Sequence, residues 1–138
     1  MSELVRVSIS IEKPLYERLE KLVRQSGYTN RSEFVRDLVR RQIVQREWDS
    51  DREVAGTVTL VYDHHVRGLT DRLTALQHGH RGVVLAATHV HLSHHMCMEV
   101  IILRSRASEI RRLADEMRKL RGVLYAELAT ASTGEELH

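Results

Sequence analysis

The stretch Val5-Arg6-Val7-Ser8-Ile9-Ser10-Ile11 alternates apolar and polar residues from end to end. Successive side chains of a β-strand point to opposite faces, so this pattern predicts a strand with one apolar face and one polar face. The residues that follow have the periodicity of helices, so they provide no second strand to pair with it. The N-terminal strand therefore needs a partner from elsewhere.

Two helices are predicted after this strand. Pro14 suits the first turn of the first helix, and Gly27 suits its C-terminal end. Asn30 is the predicted N-cap of the second helix, with Glu33 in the capping-box position. The apolar stripes are Leu15, Leu19, Leu22 and Val23 in the first helix and Phe34, Val35, Leu38, Val39 and Ile43 in the second. A unit of about 45 residues with so few apolar side chains cannot close a core, so we expect it to dimerise through its strand.

A dimer would pair the two strands into an antiparallel ribbon that fits the major groove of DNA, where arginine recognises guanine and hydroxyls contact base edges. The predicted groove-reading residues are Arg6, Ser8 and Ser10. The N-terminus of the second helix offers backbone N–H groups and a cation to a phosphate, through Asn30, Arg31 and Ser32. The motifs RVSIS and GYTNRSEFVRDLVR resemble those of ribbon-helix-helix DNA-binding domains. Periodicity alone fits a generic oligomerisation module of a strand and helices equally well.

A second pattern begins after residues 49–53, which we interpret as a linker because residues 47–53 show no clear periodicity. The predicted elements are a strand over 54–62, a helix through Leu69, Leu73 and Leu76 that ends near Gly79, strands over 82–94 and 98–103, a helix over 107–121 and a strand over 122–129. This βαββαβ order is that of a ferredoxin-like fold. Residues 130–138 are expected to fray. The chain is thus predicted to be α+β, with a ribbon-helix-helix (βαα) domain over 1–48 and a ferredoxin-like domain over 54–138.

Length, hydropathy and charge limit the classes of protein. A chain of 138 residues is enough for one ordinary domain or two very small ones, but not for a large multidomain enzyme. No run approaches the roughly 18 to 20 apolar residues that span a bilayer, and no signal peptide is apparent, so we expect a cytoplasmic protein that does not bind membranes. The formal net charge is +2, yet residues 1–48 carry ten Lys and Arg against seven Asp and Glu. The excess positive charge therefore lies in the predicted DNA-binding unit.

Nine histidines beside a single cysteine are the unusual feature of the composition. His89 and His91 are two residues apart on a predicted strand, so their imidazoles share a face and can bind one ion. Cys97 follows His91 by six residues, across a short polar turn, and can lie on the adjoining strand. A fourth ligand is available in Gln77-His78-Gly79-His80, from the same chain or from another. Imidazoles with one thiolate suit Ni(II), Cu(II) or Zn(II) rather than hard, oxygen-preferring ions.

Together the two halves resemble the nickel-responsive regulator family, NikR, in which a ribbon-helix-helix domain is joined to a ferredoxin-like, ACT-type metal-sensing domain. The matching stretches are RVSIS, GYTNRSEFVRD, VYDHHVRGL, QHGH and THVHLSHHMCME. The resemblance implies a square-planar Ni(II) site made by His89, His91 and Cys97 of one subunit and His78 of a neighbouring subunit. It also implies a homotetramer, as a dimer of dimers, that binds two operator half-sites. The implied function is that of a repressor of nickel-uptake genes with Ni(II) as corepressor, not of an enzyme.

The resemblance also assigns supporting roles. Tyr62, His64 and Glu99 match family positions near the metal, where they would orient the imidazoles. Glu33 and Asp37 match a cation site between the two domains of DNA-bound family members, and an exposed acidic face paired with neighbouring arginines is the alternative. The remaining histidines are expected to be solvated surface imidazoles, namely His65, His80, His94, His95 and His138. Of these, His94 and His95 could form a weaker or alternative site at high metal load.

Two other functions stay open on the sequence. An open zinc site could activate water in a metalloenzyme with Glu99 as base, although the short chain shows no further convergent polar set. Alternatively, a ribbon-helix-helix regulator could bind a small molecule in its ACT-like domain while the histidines hold structural zinc.

Overall fold

The computed structural model describes residues 3–138. In chain order its elements are α1 (Lys13–Gln25), α2 (Arg31–Asp49), β1 (Glu53–Asp63), α3 (Leu69–His78), β2 (Val84–His91), β3 (Met96–Arg106), α4 (Ala107–Lys119) and β4 (Val123–Thr130). The predicted α+β class is confirmed. Within the described residues, no helix is long and apolar enough to cross a bilayer. The chain divides into two compact units, one of residues up to Ile43 with Glu136–His138, and one of Val44–Glu135.

The first unit begins with α1 and α2, which form where the capping signals place them. Gly27 has φ +75°, a conformation that favours glycine, just after the end of α1. Asn30 Oδ1 accepts a hydrogen bond of 3.0 Å from the backbone N–H of Glu33, so Asn30 caps α2 as predicted. Phe34 of α2 is buried and meets the ring of Tyr28 edge-on at 5.4 Å between centroids. Local sequence signals therefore account for both helices.

The strand predicted over residues 5–11 does not form in the described chain, where these residues belong to no helix or strand and pair with no other segment. Their apolar face stays uncovered, because Val5, Val7 and Ile9 are 79%, 77% and 72% exposed. A β-ladder needs two strands, so one chain alone cannot complete the predicted ribbon. An uncovered apolar row of this kind agrees with a strand that pairs with a second chain.

The second unit is built on a four-stranded sheet in the order β2-β3-β1-β4, and each neighbouring pair is antiparallel. This is the ferredoxin-like topology that the sequence predicts. Along β1 the buried side chains alternate, with Val54, Val58 and Leu60 fully buried. They join one hydrophobic cluster with residues of β3, α3 and α4, such as Ile101 and Leu113. One face of the sheet therefore packs against helices. The end of the sheet near Tyr62, His91 and Cys97 carries the polar residues described in the next section.

The predicted linker over 49–53 is wrong in its extent. The helix α2 continues to Asp49, and only residues 50–52 lie between it and β1. The reason is Trp48, which is 3% exposed and whose indole N–H donates to the carbonyl of Ala131 at 2.8 Å. A Cβ on Gly56 would lie 3.2 Å from the indole Cζ2, so glycine there leaves room for the ring. The last turn of α2 is therefore part of the core of the second unit.

The C-terminal residues expected to fray also differ from the prediction. The N–H of Ala131 donates to the carbonyl of Ala55 at 2.9 Å. The hydroxyl of Ser132 donates to Glu47 Oε1 at 2.8 Å. Glu47 is only 5% exposed, and a buried carboxylate needs such a donor. Residues 131 and 132 are therefore held in place because they supply partners for α2.

Asp51 fixes the start of α4 from the turn between α2 and β1. Its Oδ1 accepts a hydrogen bond of 2.7 Å from the backbone N–H of Ser108, one of the groups that a helix N-terminus leaves without a partner. This bond, together with that from the Ser108 side chain, lowers the pKa of Asp51. A carboxyl whose pKa is lower in the folded chain stabilises the fold above its unfolded pKa, and that contribution is lost as the pH falls through the folded pKa.

We therefore expect the melting temperature of the protein to fall as the pH drops below about 4, the unfolded pKa of aspartate, in part through Asp51. The Asp51→Asn variant keeps an oxygen acceptor and tolerates the positive φ of 53°, but it has no charge to lose. Its melting temperature should fall less steeply in the same window. Glu116→Gln, which removes an exposed carboxylate later in α4, should follow the wild type. Equal slopes for Asp51→Asn and the wild type would contradict this role.

Candidate metal centre

The strand register brings metal-binding side chains to one end of the sheet. His91 on β2 lies opposite Cys97 on β3, which lies opposite Tyr62 on β1. Two residues earlier on β2, His89 lies opposite Glu99 of β3. Paired residues share a face of the sheet, and so do residues two apart on a strand. Both histidines of β2 therefore lie on the same side of the sheet as Cys97.

Three donor atoms converge here. The ligand atoms of His64, His91 and Cys97 all lie within 4.8 Å of one another. Cys97 is 2% exposed, and its Sγ lies 3.4 Å from His91 Nδ1. Bonds of about 2.0–2.3 Å to nitrogen and sulfur put neighbouring ligand atoms of one ion about 3 Å apart, so this pair has nearly the spacing that an ion requires. Two imidazoles and a thiol are a donor set for borderline divalent metals.

His64 comes from the turn that follows β1. Its Nε2 lies 2.8 Å from the carbonyl oxygen of His94. A carbonyl can only accept, so this nitrogen carries the proton and Nδ1 keeps its lone pair. Burial, followed by the neighbouring His65 and His91, lowers the pKa of His64. The neutral imidazole, which is the form that binds metals, is therefore favoured.

Two expected ligands lie outside this group of donor atoms. His89 is exposed on β2, with its ring centroid 6.1 Å from that of His91. His78 is exposed at the last residue of α3. The described chain therefore brings together His91 and Cys97 of the four expected ligands and adds His64. Both remaining histidines are accessible to another chain.

Glu99 is held in a buried network beside the cluster. It is 8% exposed, and its carboxylate accepts hydrogen bonds from Gln77 Nε2 at 2.7 Å and from the Tyr62 hydroxyl at 3.4 Å. Burial, followed by the charges of Glu99 and Cys97, raises the pKa of Tyr62 to about 12, so the phenol stays protonated and can donate. Because Gln77 directly precedes His78, its bond to Glu99 fixes the end of α3 against β3. Gln77 was not singled out from the sequence, where its only signal is its place in Q-H-x-H.

The predicted DNA-contacting residues all lie in the first unit. Arg6, Ser8 and Ser10 are exposed, as a groove-reading face requires. Arg31, at the start of α2, donates to the Tyr16 hydroxyl at 2.6 Å and its side chain is 55% exposed. Ser32 beside it is exposed too, while the side chain of Asn30 is used in capping the helix. The helix N-terminus is thus ordered and accessible to a phosphate.

Glu33 and Asp37 are paired with neighbours on α2 and in the turn that precedes it. Glu33 accepts a hydrogen bond of 3.0 Å from the Thr29 hydroxyl and lies 4.0 Å from Arg36. Asp37 accepts a hydrogen bond from the Tyr28 hydroxyl and lies 3.5 Å from Arg40. These are the contacts of a mixed acidic and basic helix face, and a cation site at these two residues stays a prediction.

Comparison with known proteins covers both units. Residues 5–46 match the family described as ribbon-helix-helix protein, copG family, and residues 55–131 match the NikR C terminal nickel binding domain. Relatives from Geobacter sulfurreducens and Geobacter metallireducens, each named "Putative nickel-responsive regulator", are 48% identical over 139 residues, covering 100% of this chain and of each relative. A solved structure of an uncharacterized protein from Thermotoga maritima has a TM-score of 0.52 and 14% identity, covering 57% of this chain and 98% of that chain. The last likeness is one of fold alone.

Proposed function

The chain belongs to the nickel-responsive regulator family, and from this premise we propose that it is a DNA-binding repressor for which Ni(II) is the corepressor. The observation that carries the proposal is the convergence of His91, Cys97 and a further imidazole at one end of the sheet, in a chain that begins with a DNA-binding fold. A regulator of nickel-uptake genes of this kind would act in the cytoplasm, where it meets DNA.

The proposed nickel ligands are His89, His91 and Cys97 of one subunit and His78 of the partner subunit, in a square-planar site. The close contact of Cys97 Sγ with His91 Nδ1, at 3.4 Å, supports these two residues as ligands of one ion. His89 lies on the same face two residues away and is exposed. The exposed position of His78 supports its role as a ligand in the metal site of another subunit. The donor set fits the ion, because imidazoles and one thiolate suit a borderline metal.

Tyr62, His64 and Glu99 would orient these ligands. Glu99 holds Gln77, and through it the end of α3 that carries His78. His64 lies against His91, with 5.1 Å between ring centroids. Groups of this kind fix the tautomer and direction of a ligand, and their loss typically costs about 10–100-fold in metal affinity.

Ligands drawn from two chains couple metal occupancy to the arrangement of subunits. A coupling of about 1–3 kcal/mol per site is typical when binding at one place alters affinity at another. In the proposed homotetramer, a dimer of dimers, this coupling would favour the arrangement that places both DNA-binding dimers on their two operator half-sites. The formal net charge of only +2 supports weak nonspecific DNA binding by the metal-free protein.

The DNA-binding half needs two chains as well. Pairing of the 5–11 segments would cover the exposed Val5, Val7 and Ile9 and present Arg6 twice to the major groove. Each good arginine contact to guanine contributes about 1–3 kcal/mol of discrimination. Backbone N–H groups at the start of α2 would hold the adjacent phosphates.

The proposal is tested with genomic DNA fragments that the nickel-loaded protein selects. In a mobility-shift assay at fixed salt, we expect retardation with Ni(II) and much weaker retardation after chelation. Arg6→Ala should bind Ni(II) as the wild type does and lose at least about 10-fold in affinity for the selected fragments. Arg121→Ala, which removes an exposed arginine of the second unit, is the matched control and should bind DNA normally.

Equal retardation with and without Ni(II) would remove the corepressor role. Normal DNA binding by Arg6→Ala would remove the ribbon as the reading surface. Stoichiometric zinc in the purified protein, with no preference for nickel, would favour the small-molecule regulator with structural zinc, and turnover that disappears on chelation would favour a hydrolase.

A further inference from the structure

The side chain of Arg31 is anchored to α1 through one of its nitrogens. Its Nη1 donates to the Tyr16 hydroxyl at 2.6 Å and lies 3.2 Å from Glu20 Oε1. Tyr16 and Glu20 are four residues apart on α1, so they share a face of that helix. Arg31 is the first residue of α2. The two side chains of α1 therefore hold an arginine at the helix end that is proposed to bind a DNA phosphate.

The anchor leaves the rest of the guanidinium available to a ligand. Both contacts are made by Nη1, and no acceptor in the described part of the chain takes a hydrogen bond from Nε or Nη2. These two nitrogens lie side by side and can donate to two oxygens of one phosphate. The side chain of Arg31 is 55% exposed. Arg31 can thus contact a phosphate without leaving Tyr16 or Glu20.

Glu20 depends on Arg31 because one of its oxygens is buried. Glu20 Oε1 has no well-aligned hydrogen-bond donor among the residues that the structure describes, so the cation 3.2 Å away compensates its charge. If Arg31 moved away, this oxygen would be left without a partner, which is unfavourable. We therefore expect the arginine to keep its place when DNA binds.

We infer that Tyr16 and Glu20 are positioning residues for DNA binding, which hold Arg31 in place for a backbone phosphate. This inference rests on the proposed DNA-binding function. An arginine side chain loses rotational freedom when a ligand fixes it, and one that is already held loses less. The negative charge of Glu20 acts in the opposite direction, because it repels the phosphate. Arg31 lies between the two, and salt screens the repulsion at that separation, so the gain from holding Arg31 should be the larger effect.

The test measures the affinity of the nickel-loaded full-length protein for the selected genomic fragments at several salt concentrations. Tyr16→Phe and Glu20→Ala should each lose about 3–10-fold in affinity. Glu20→Gln keeps an oxygen acceptor for Nη1 and should lose less than Glu20→Ala. Arg31→Ala should reduce the slope of log affinity against log salt by about 1, as the loss of one phosphate contact does. Glu20→Ala should keep the wild-type slope, because Arg31 still makes its contact.

Glu17→Ala is the matched control, because it removes an exposed carboxylate from the same helix. If charge alone mattered, Glu17→Ala and Glu20→Ala would both bind DNA more tightly, whereas positioning predicts a loss in Glu20→Ala only. In an Arg31→Ala background, Glu20→Ala should have no further effect on DNA affinity. All these variants should bind Ni(II) as the wild type does, since the changes lie in the first unit.

Tighter DNA binding by a folded Glu20→Ala variant would overturn the inference and show that Glu20 withholds Arg31 from DNA. An equal loss with and without Arg31 would overturn it too, because the effect would then not pass through the arginine. If nickel does not alter DNA binding, the corepressor role fails while the comparison of the Glu20 and Arg31 variants still decides the inference. If the wild type binds no DNA, the proposed function and the positioning role both fail.

Discussion

Replacing Cys97 by alanine should lower the affinity of the protein for Ni(II) by more than about 100-fold. Even the loss of a group that only orients a metal ligand costs about 10–100-fold, and Cys97 supplies the single sulfur of the donor set. Its Sγ is buried and lies 3.4 Å from His91 Nδ1, which is nearly the spacing of two ligands of one ion. Competition with a chelator of known nickel affinity measures the loss, and the nickel-dependent DNA retardation should disappear with it.

The fold should survive this change. Removing one buried sulfur atom leaves a small cavity, at a cost of about 1 kcal/mol. Thermal unfolding followed by circular dichroism checks this point, and Cys97→Ser repeats the test with nearly the wild-type volume. Unchanged nickel affinity in either folded variant would remove Cys97 from the site.

Either of two imidazoles could be the ligand next to His91 and Cys97, namely that of His64 or that of His89. His64 has its donor nitrogen within the cluster, whereas His89 is the proposed ligand. We expect His89→Ala to be as damaging as Cys97→Ala and His64→Ala to cost only about 10–100-fold. The reverse order would make His64 the ligand and leave His89 a surface residue.

Short-range patterns were enough to predict much of this molecule. The cap at Asn30 was visible because a cap and its target are three residues apart. The proximity of His91 and Cys97 followed from a tight turn between two strands, and the N–H of Leu92 does donate to the carbonyl of Met96 at 2.8 Å across that turn. The βαββαβ order then gave the sheet its topology.

Contacts between distant segments were not visible in the same way. Gln77 meets Glu99, and His65 meets His95, only because the sheet register brings those segments together. The 5–11 segment shows the opposite case, since its alternation is clear but no strand of the described chain pairs with it. Trp48 gave no periodic signal because it stands alone among charged residues. Its partner Ala131 is 83 residues away.

Replacing Trp48 by alanine should lower the free energy of unfolding of the protein by about 3–5 kcal/mol. The indole is 3% exposed, donates to the carbonyl of Ala131 at 2.8 Å, and lies under the guanidinium of Arg111 at 5.1 Å from the ring centroid. Alanine would leave a cavity over Gly56, where no side chain is available to fill the space. A typical domain has only about 5–15 kcal/mol of stability, so the variant should unfold at markedly lower urea concentration.

The same substitution should loosen one end of α2 and spare the other. Amide exchange should become faster in residues 46–49 and in residues 131 and 132, because Trp48 and Ser132 hold these two segments together. Residues 31–33, which would contact DNA phosphates, are capped by Asn30 and should keep their protection.

Trp48→Phe restores most of the packing but not the indole N–H, and should cost about 1–2 kcal/mol. Leu38→Ala, at a side chain 49% exposed on the same helix, should cost less than Trp48→Ala. A loss below about 1 kcal/mol in Trp48→Ala would show that the ring does not hold the helix to the sheet, because full burial of a large apolar side chain contributes more than that.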